Sequence, residues 1–266
     1  MSEKPDRPYF LNSSATKFGY PILVFLPGMD ESVVLARLQT AGLEVGFDVR
    51  YLIIPPAFLC DWDELTKIAI DLIQSQLKPL VSSSIYLCGE SFGGCLALKL
   101  MLAAPNLFKK VVLVNPASSF NRRPWIHWGS LISRLLPEWL YQITSIGFLP
   151  FLASLGRMTP ENRQILFKSV RSVQIENSVQ RLSMMRHFHI SSKELQQFYK
   201  PVLLIASQGD RLLPSVPEAK RLQRDLPNAE VVILPHSGHA CLLETDVNLY
   251  QIMLKMKFIS HLANNT

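Results

Sequence analysis

The 266 residues hold 48 % hydrophobic and 18 % charged side chains, which excludes a disordered chain and suffices for one large core or two small domains. No run of 18 apolar residues occurs, so a membrane-spanning helix is not expected, and Met1-Ser2-Glu3-Lys4-Pro5-Asp6-Arg7-Pro8 is too polar for a signal peptide. Formal charge is +6, from 27 Lys and Arg against 21 Asp and Glu, and no motif accompanies it that would point to nucleic acid.

Six short apolar runs read as strands. The first is Ile22–Leu26, followed by the loop Leu26-Pro27-Gly28-Met29-Asp30 and a helical pattern over Ser32–Thr40. Val49–Ile54 comes next, ending in Pro55-Pro56. A helix over Asp61–Leu77 follows it, opened by Asp61 with Glu64 at capping-box spacing. Ile85–Cys88 leads through Gly89-Glu90-Ser91-Phe92-Gly93 into a helix over Phe92–Ala104. Val111–Val114 is the fourth run, Val202–Ala206 the fifth and Val231–Leu234 the sixth; helical patterns occupy Val216–Leu226 and Leu243–Leu262. None of the six alternates with polar residues, as expected of strands covered on both faces. Strands alternating with helices predict an α/β fold, a mostly parallel doubly wound sheet.

Residues 117–200 break the rhythm. Helical segments over Trp128–Leu136, Trp139–Ile146, Glu161–Val173 and Ser178–Phe188 are punctuated by Pro124, Pro137, Pro150 and Pro160, with no convincing strand. The expected organisation is a core of residues 1–116 and 201–266 with a helical cap, 117–200, inserted over the sheet's carboxyl edge, where ligands bind. Residues 120–195 carry ten Lys and Arg against four Glu, the whole net charge of the chain. That basic segment fits an anionic substrate or peripheral contact with an anionic membrane; a solvated face is the competing reading. Its apolar residues (Leu131, Leu135, Leu136, Trp139, Ile143, Ile146, Phe148, Phe151, Leu152, Leu155, Met184 and Met185) exceed what a small lid needs and point to a lipophilic substrate. Individually, each also fits the cap's own core.

The sharpest motif is the G-x-S-x-G at Gly89–Gly93. A serine between strand and helix takes a strained turn that exposes its hydroxyl, and Gly89 and Gly93 are needed where backbones close up. Ser91 is therefore the candidate nucleophile. Two amides should receive the oxyanion: that of Phe92, and that of Met29 beyond the turn at Gly28. Asp30 caps the following helix, orients the loop or touches substrate. The general base should follow the last strand. Pro235-His236-Ser237-Gly238-His239 offers His239, with His236 as the alternative. His187 and His189 remain candidates for a pocket wall; His127 and His261 read as surface. The acid should follow the penultimate strand: Asp210 in Ser207-Gln208-Gly209-Asp210-Arg211, with Asp225 and Asp246 as alternatives. No H-E-x-x-H, C-x-x-C or Walker run occurs, so neither metal nor cofactor is expected. Cys60, Cys88, Cys95 and Cys241 show no disulfide pattern and fit a reducing compartment.

These residues resemble the α/β-hydrolase superfamily. A narrower resemblance is to the hydrolase half of plant and cyanobacterial phytyl ester synthase-like proteins. It rests on Phe25–Asp30, Tyr86–Leu98, Asn115-Pro116-Ala117-Ser118-Ser119-Phe120, Gly209-Asp210-Arg211-Leu212-Leu213-Pro214-Ser215 and Gly238–Glu244. The resemblance implies Ser91, Asp210 and His239 as the triad. It also implies ester or thioester substrates of lipophilic acyl groups, or acyl transfer to phytyl or glyceryl alcohols, and a cytoplasmic site at or near photosynthetic membranes. The plant proteins continue into an acyltransferase-like domain, whereas this sequence stops at Thr266, which favours hydrolysis over transfer. Dehalogenase chemistry on this fold needs an aspartate where Ser91 stands; carbon–carbon hydrolysis is compatible with the triad. A non-catalytic membrane-docking protein on the same fold is the reading outside enzymology.

Overall fold

The computed structural model describes residues 5–29, 37–56, 58–77, 84–122, 149–172 and 175–260. Elements in chain order are β1 (Tyr9–Asn12), β2 (Ile22–Leu26), α1 (Thr40–Leu43), β3 (Asp48–Ile53), α2 (Trp62–Leu72), β4 (Ile85–Glu90), α3 (Phe92–Ala103) and β5 (Lys110–Val114). Then come α4 (Leu149–Leu152), α5 (Pro160–Ser172), α6 (Ile175–Arg186), α7 (Ser192–Leu195), β6 (Val202–Ser207), α8 (Ser215–Asp225), β7 (Ala229–Leu234) and α9 (Leu249–Lys255). The seven strands form one sheet in the order β1-β3-β2-β4-β5-β6-β7. All pairings are parallel except β1, which runs antiparallel to β3 with Tyr9 opposite Ile53.

The doubly wound α/β reading is what the sheet shows, and each of the six apolar runs lies on a strand. Every residue of β2, β3 and β6 is buried, because both faces are covered. Val24 and Leu26 join the apolar layer that includes Leu65 of α2, Leu98 of α3 and Leu222 of α8. Leu23 and Phe25 point the other way, to a layer with Leu43 of α1 and Leu249 and Met253 of α9. The edge strand β7 differs: Glu230 is exposed and Ile233 is 40 % exposed. The seventh strand, β1, is absent from the six-strand reading. Its four residues are half-buried or exposed, and Tyr9-Phe10-Leu11 is too short an apolar run to signal a strand without the partner β3.

Local chemistry sets the helix ends. Asp61 caps α2 by accepting the Glu64 N–H at 2.8 Å, and the helix continues into a π-helical turn over Ile73–Leu77 that buries Ile73 and Leu77. The helix expected over Leu243–Leu262 is shorter. A 3₁₀ turn covers Cys241–Leu243, and α9 starts only after Asn248, whose side chain accepts the Gln251 N–H at 3.0 Å. Lys257, at φ 52°, closes it in the left-handed cap conformation. The break between the two pieces coincides with Glu244, a buried carboxylate used elsewhere. Of the helix expected over Ser32–Thr40, residues 30–36 lie outside the described residues; a 3₁₀ turn over Arg37–Gln39 leads into α1.

Among the described residues no strand interrupts the chain between β5 and β6. The helices expected over Trp128–Leu136 and Trp139–Ile146 lie outside the described residues, as do Leu131 to Phe148 of the apolar set. Those over Glu161–Val173 and Ser178–Phe188 correspond to α5 and α6. Met184 and Met185 are buried in the same layer as Leu65 and Phe188, Leu152 and Leu155 are half-buried, and Phe151 is 45 % exposed. No helix among the described residues is long and apolar enough to cross a membrane.

Candidate active site

Strand β4 ends in Gly89-Glu90, and α3 begins at Phe92, so one residue makes the turn. Ser91 takes φ 52° and ψ −114°, a backbone region costly to any residue with a Cβ, at about 1–3 kcal/mol. The surroundings fix it there. Its N–H donates to the Val114 carbonyl at 3.0 Å, and its own carbonyl accepts from the amides of Gly94, Cys95 and Ala117. The small residues follow from close approach, as the sequence implies. A Cβ on Gly89 would lie 2.3 Å from the Gly93 carbonyl oxygen, and one on Gly93 would lie 2.1 Å from that of Leu26. Gly93 thus presses against the start of the loop that carries Gly28 and Met29. That loop leaves β2 beside β4, with Leu26 paired to Gly89, so it starts from the strand next to the one that ends in the serine turn.

Two further loops converge on Ser91 from the same sheet edge. His239 follows β7, 4 % exposed, and its Nε2 lies 2.9 Å from Ser91 Oγ. Its Nδ1 lies 2.7 Å from Asp210 Oδ2, on the loop after β6. The Asp210 carboxylate is saturated: Oδ1 accepts the amides of Leu212 and Leu213, both at 2.9 Å, and Oδ2 also accepts the Ser215 hydroxyl. Burial alone pushes the Asp210 carboxyl up, but the facing imidazole and these donors outweigh it and hold it below the ordinary carboxylate value. Burial likewise drives His239 down, yet the charge and hydrogen bond of Asp210, with Glu90 adding, hold it above the ordinary histidine value. With His239 neutral, Nδ1–H donates to Asp210 and Nε2 is left as an acceptor facing the serine hydroxyl. Chemically, that arrangement is suited to take a proton from the Ser91 hydroxyl and to stabilise the resulting cation.

The alternatives lie elsewhere. His236, His187 and His189 are exposed. Asp225 binds Arg221 and Ser192. Asp246 pairs with Arg157. Asp30, His127 and His261 lie outside the described residues.

The structure adds supporting residues that the sequence reading did not single out. Glu244 accepts the Gly238 N–H at 2.8 Å on Oε1 and Arg157 Nε–H at 2.7 Å on Oε2. Ala240 N–H donates to the Leu152 carbonyl at 2.9 Å, and a Cβ on Gly238 would meet Ser154 N at 2.6 Å. The histidine loop is thus built against α4 and the turn after it. On the other side, Trp62 stacks on Phe92 at 4.8 Å and donates Nε1–H to the Met184 carbonyl at 2.7 Å, while the Arg181 guanidinium lies 5.0 Å from the Phe92 ring centre. Glu244 and Ser215 stand inside the motif runs Gly238–Glu244 and Gly209–Ser215, but nothing local marks their partners.

The alpha/beta hydrolase fold family model matches residues 61–246. The chain is 30 % identical over 256 residues to phytyl ester synthase 1, chloroplastic, of Arabidopsis thaliana, covering 88 % of this chain but only 36 % of that protein. The chain therefore spans little more than a third of that relative. It is 29 % identical over 185 residues to a pimeloyl-[acyl-carrier protein] methyl ester esterase of Nitrosomonas europaea, covering 67 % of this chain and 71 % of that one. Among solved structures, the enol-lactonase from Burkholderia xenovorans LB400 superposes with a TM-score of 0.77 at 17 % identity, over 95 % of this chain and 96 % of that one. With the family model spanning most of the chain and a fold shared with the enol-lactonase, the chain belongs to the α/β-hydrolase fold family.

Proposed function

We propose that the chain is a serine hydrolase that cleaves carboxylic esters or thioesters of lipophilic acyl groups through an acyl-enzyme. The observation that carries this reading is the hydrogen-bonded series Ser91–His239–Asp210, closed at 2.9 and 2.7 Å on a strained serine turn. His239 takes the hydroxyl proton as Ser91 attacks the carbonyl carbon. The Met29 and Phe92 amides receive the oxyanion, and Asp210 holds the imidazolium. The leaving alcohol or thiol departs with the proton from His239. Water, activated by the same imidazole, then releases the acid. The ester class follows from the esterase named among the relatives, and the lipophilic acyl group from the apolar and basic composition of 117–200, which this reading takes as a cap.

Acyl transfer is the second reading, favoured by the 30 % identity to a phytyl ester synthase. It shares every step up to the acyl-enzyme and differs only in the nucleophile that arrives second. The test is product analysis by mass spectrometry after incubation with long-chain acyl esters, with and without phytol. Free fatty acid formed by the wild type and absent with Ser91→Ala supports hydrolysis; a phytyl ester supports transfer. Turnover by purified Ser91→Ala, or no labelling of Ser91 by a fluorophosphonate probe, overturns both.

A further inference from the structure

The segment after β5 carries a residue that the chemistry above does not use. Asn115 is fully buried and adopts φ 42°. Its side chain reaches two of the three converging loops. Nδ2 donates to the His239 carbonyl at 2.8 Å and to Ser207 Oγ at 2.9 Å, and Oδ1 accepts the Ser207 N–H at 2.8 Å. Flipping the carboxamide would set donor against donor at Ser207 N and acceptor against acceptor at His239 O, so the network fixes its orientation. Its chain neighbours hold the third loop, the serine turn: Val114 accepts the Ser91 N–H, and Ala117 donates to the Ser91 carbonyl. Ser207 in turn begins the loop of Asp210, whose N–H donates to the Ser207 carbonyl at 3.4 Å.

We propose that Asn115 is a positioning residue whose carboxamide ties the acid loop to the base loop, from the segment whose main chain holds the serine turn; this rests on the serine-hydrolase reading. The group suits the task. A carboxamide offers two donors and an acceptor in one plane, and here it binds a carbonyl, a hydroxyl and an amide from strand ends remote in sequence. An aspartate would keep the shape but set a carboxylate against the His239 carbonyl. The bland alternative is that Asn is present only because it tolerates a left-handed backbone.

Three substitutions separate the two. Asn115→Gly keeps the turn and removes the fork, Asn115→Asp keeps the shape and removes the donors, and Asn115→Ala loses both. The readouts are kcat and KM on a chromogenic long-chain ester, the rate of fluorophosphonate labelling, and the low-field proton resonance of His239 Nδ1–H. In the glycine and aspartate variants kcat and the labelling rate should fall roughly ten- to hundredfold, as for catalytic groups displaced by a fraction of an ångström to one ångström. KM should change less than about threefold, and the low-field resonance should broaden or vanish. Ser207→Ala, which leaves Asn115 and the turn in place but removes one of its partners, should give a smaller loss of the same kind, and it decides the matter if the Asn115 variants do not fold. Wild-type kcat and an intact resonance in Asn115→Gly, an effect on KM alone, or full activity in Ser207→Ala would each overturn the proposal. Activity retained by Ser91→Ala instead overturns the underlying serine-hydrolase reading, so the two failures are told apart.

Discussion

Gly93→Ala probes the serine turn with one methyl group. Gly93 does not adopt a left-handed conformation, so alanine brings no backbone penalty; contact decides the outcome. The new Cβ would lie 2.1 Å from the Leu26 carbonyl oxygen, 2.6 Å from its carbon and 2.5 Å from the Pro27 oxygen. Carbon–oxygen contacts in proteins settle near ~3.3 Å, so the loop must retreat by about 1 Å. All three atoms are main chain, and Leu26 is held in the ladder opposite Gly89, so no side-chain rotation relieves the clash. Overpacking of this kind costs about 1–3 kcal/mol; the better helix propensity of alanine returns up to ~1 kcal/mol. The loop that retreats is the one bearing Met29. If the Met29 amide receives the oxyanion, kcat should fall by about 10²–10³, the cost of one lost donor, with a much smaller change in the urea midpoint. Gly156→Ala is the control, since a Cβ there meets nothing within 4 Å. Steady-state kinetics and urea unfolding on the purified variants read both effects. A Gly93→Ala enzyme with kcat within threefold of wild type would refute the placement of the oxyanion donors.

Two further predictions concern the imidazole. His239 must be neutral to accept the serine proton, and its pKa is held above the ordinary value of 6.5 because Asp210 and Glu90 outweigh burial. Activity should therefore rise with pH to a midpoint in kcat/KM above 6.5, and the stability contributed by the raised pKa should be present below the unfolded value and lost as pH climbs through the folded one. Asp210→Asn removes the main raising interaction and leaves burial. The midpoint should then drop below that of the wild type and kcat fall by about 10⁴; a wild-type midpoint in the variant would sink the assignment of Asp210. Glu244→Ala leaves the Gly238 N–H buried without its acceptor, a loss of about 1–3 kcal/mol. The ion-pair part adds little, because Arg157 is 30 % exposed and keeps Asp246. Glu244→Gln retains the acceptor, so its urea midpoint should lie between Glu244→Ala and wild type, and equal midpoints for all three would contradict the bond.

The parts legible in the sequence are those whose signal is local. Unbroken apolar runs marked the buried strands because a strand covered on both faces has no polar side to show. The serine turn was readable because its glycines answer to contacts four residues apart, Gly89 against Gly93. Asp210 and His239 were readable because chain order alone places them after β6 and β7. The rest depends on partners far along the chain. Glu244 binds Arg157, 87 residues away, and Asn115 reaches His239 at a separation of 124; no periodicity encodes such pairings. For the same reason the helix expected over Leu243–Leu262 was drawn too long: its apolar pattern continues through Glu244, while the buried carboxylate holds Gly238 and Arg157 and forces an interruption there.

The two sides of the site are held by different parts of the chain, and this bears on how the substrate is chosen. The strained Ser91 backbone is held by Val114, Gly94, Cys95 and Ala117, which lie at the end of β5, at the start of α3 and in the 3₁₀ turn after β5. Nothing in that set belongs to α4, α5 or α6. The base loop is different. Ala240 hydrogen-bonds Leu152, Gly238 lies against Ser154, and Arg157 grips Glu244, so residues 152–157 of the helical segment are part of what positions His239. A substrate or membrane contact that shifts this stretch would be felt at His239 rather than at Ser91. Variants at Ser154 and Arg157 should therefore alter kcat together with KM, while a fluorophosphonate that needs little acyl pocket should report the same loss of labelling rate. If such variants change KM alone, the helical segment serves binding only, and the coupling read from these contacts is not transmitted to the imidazole.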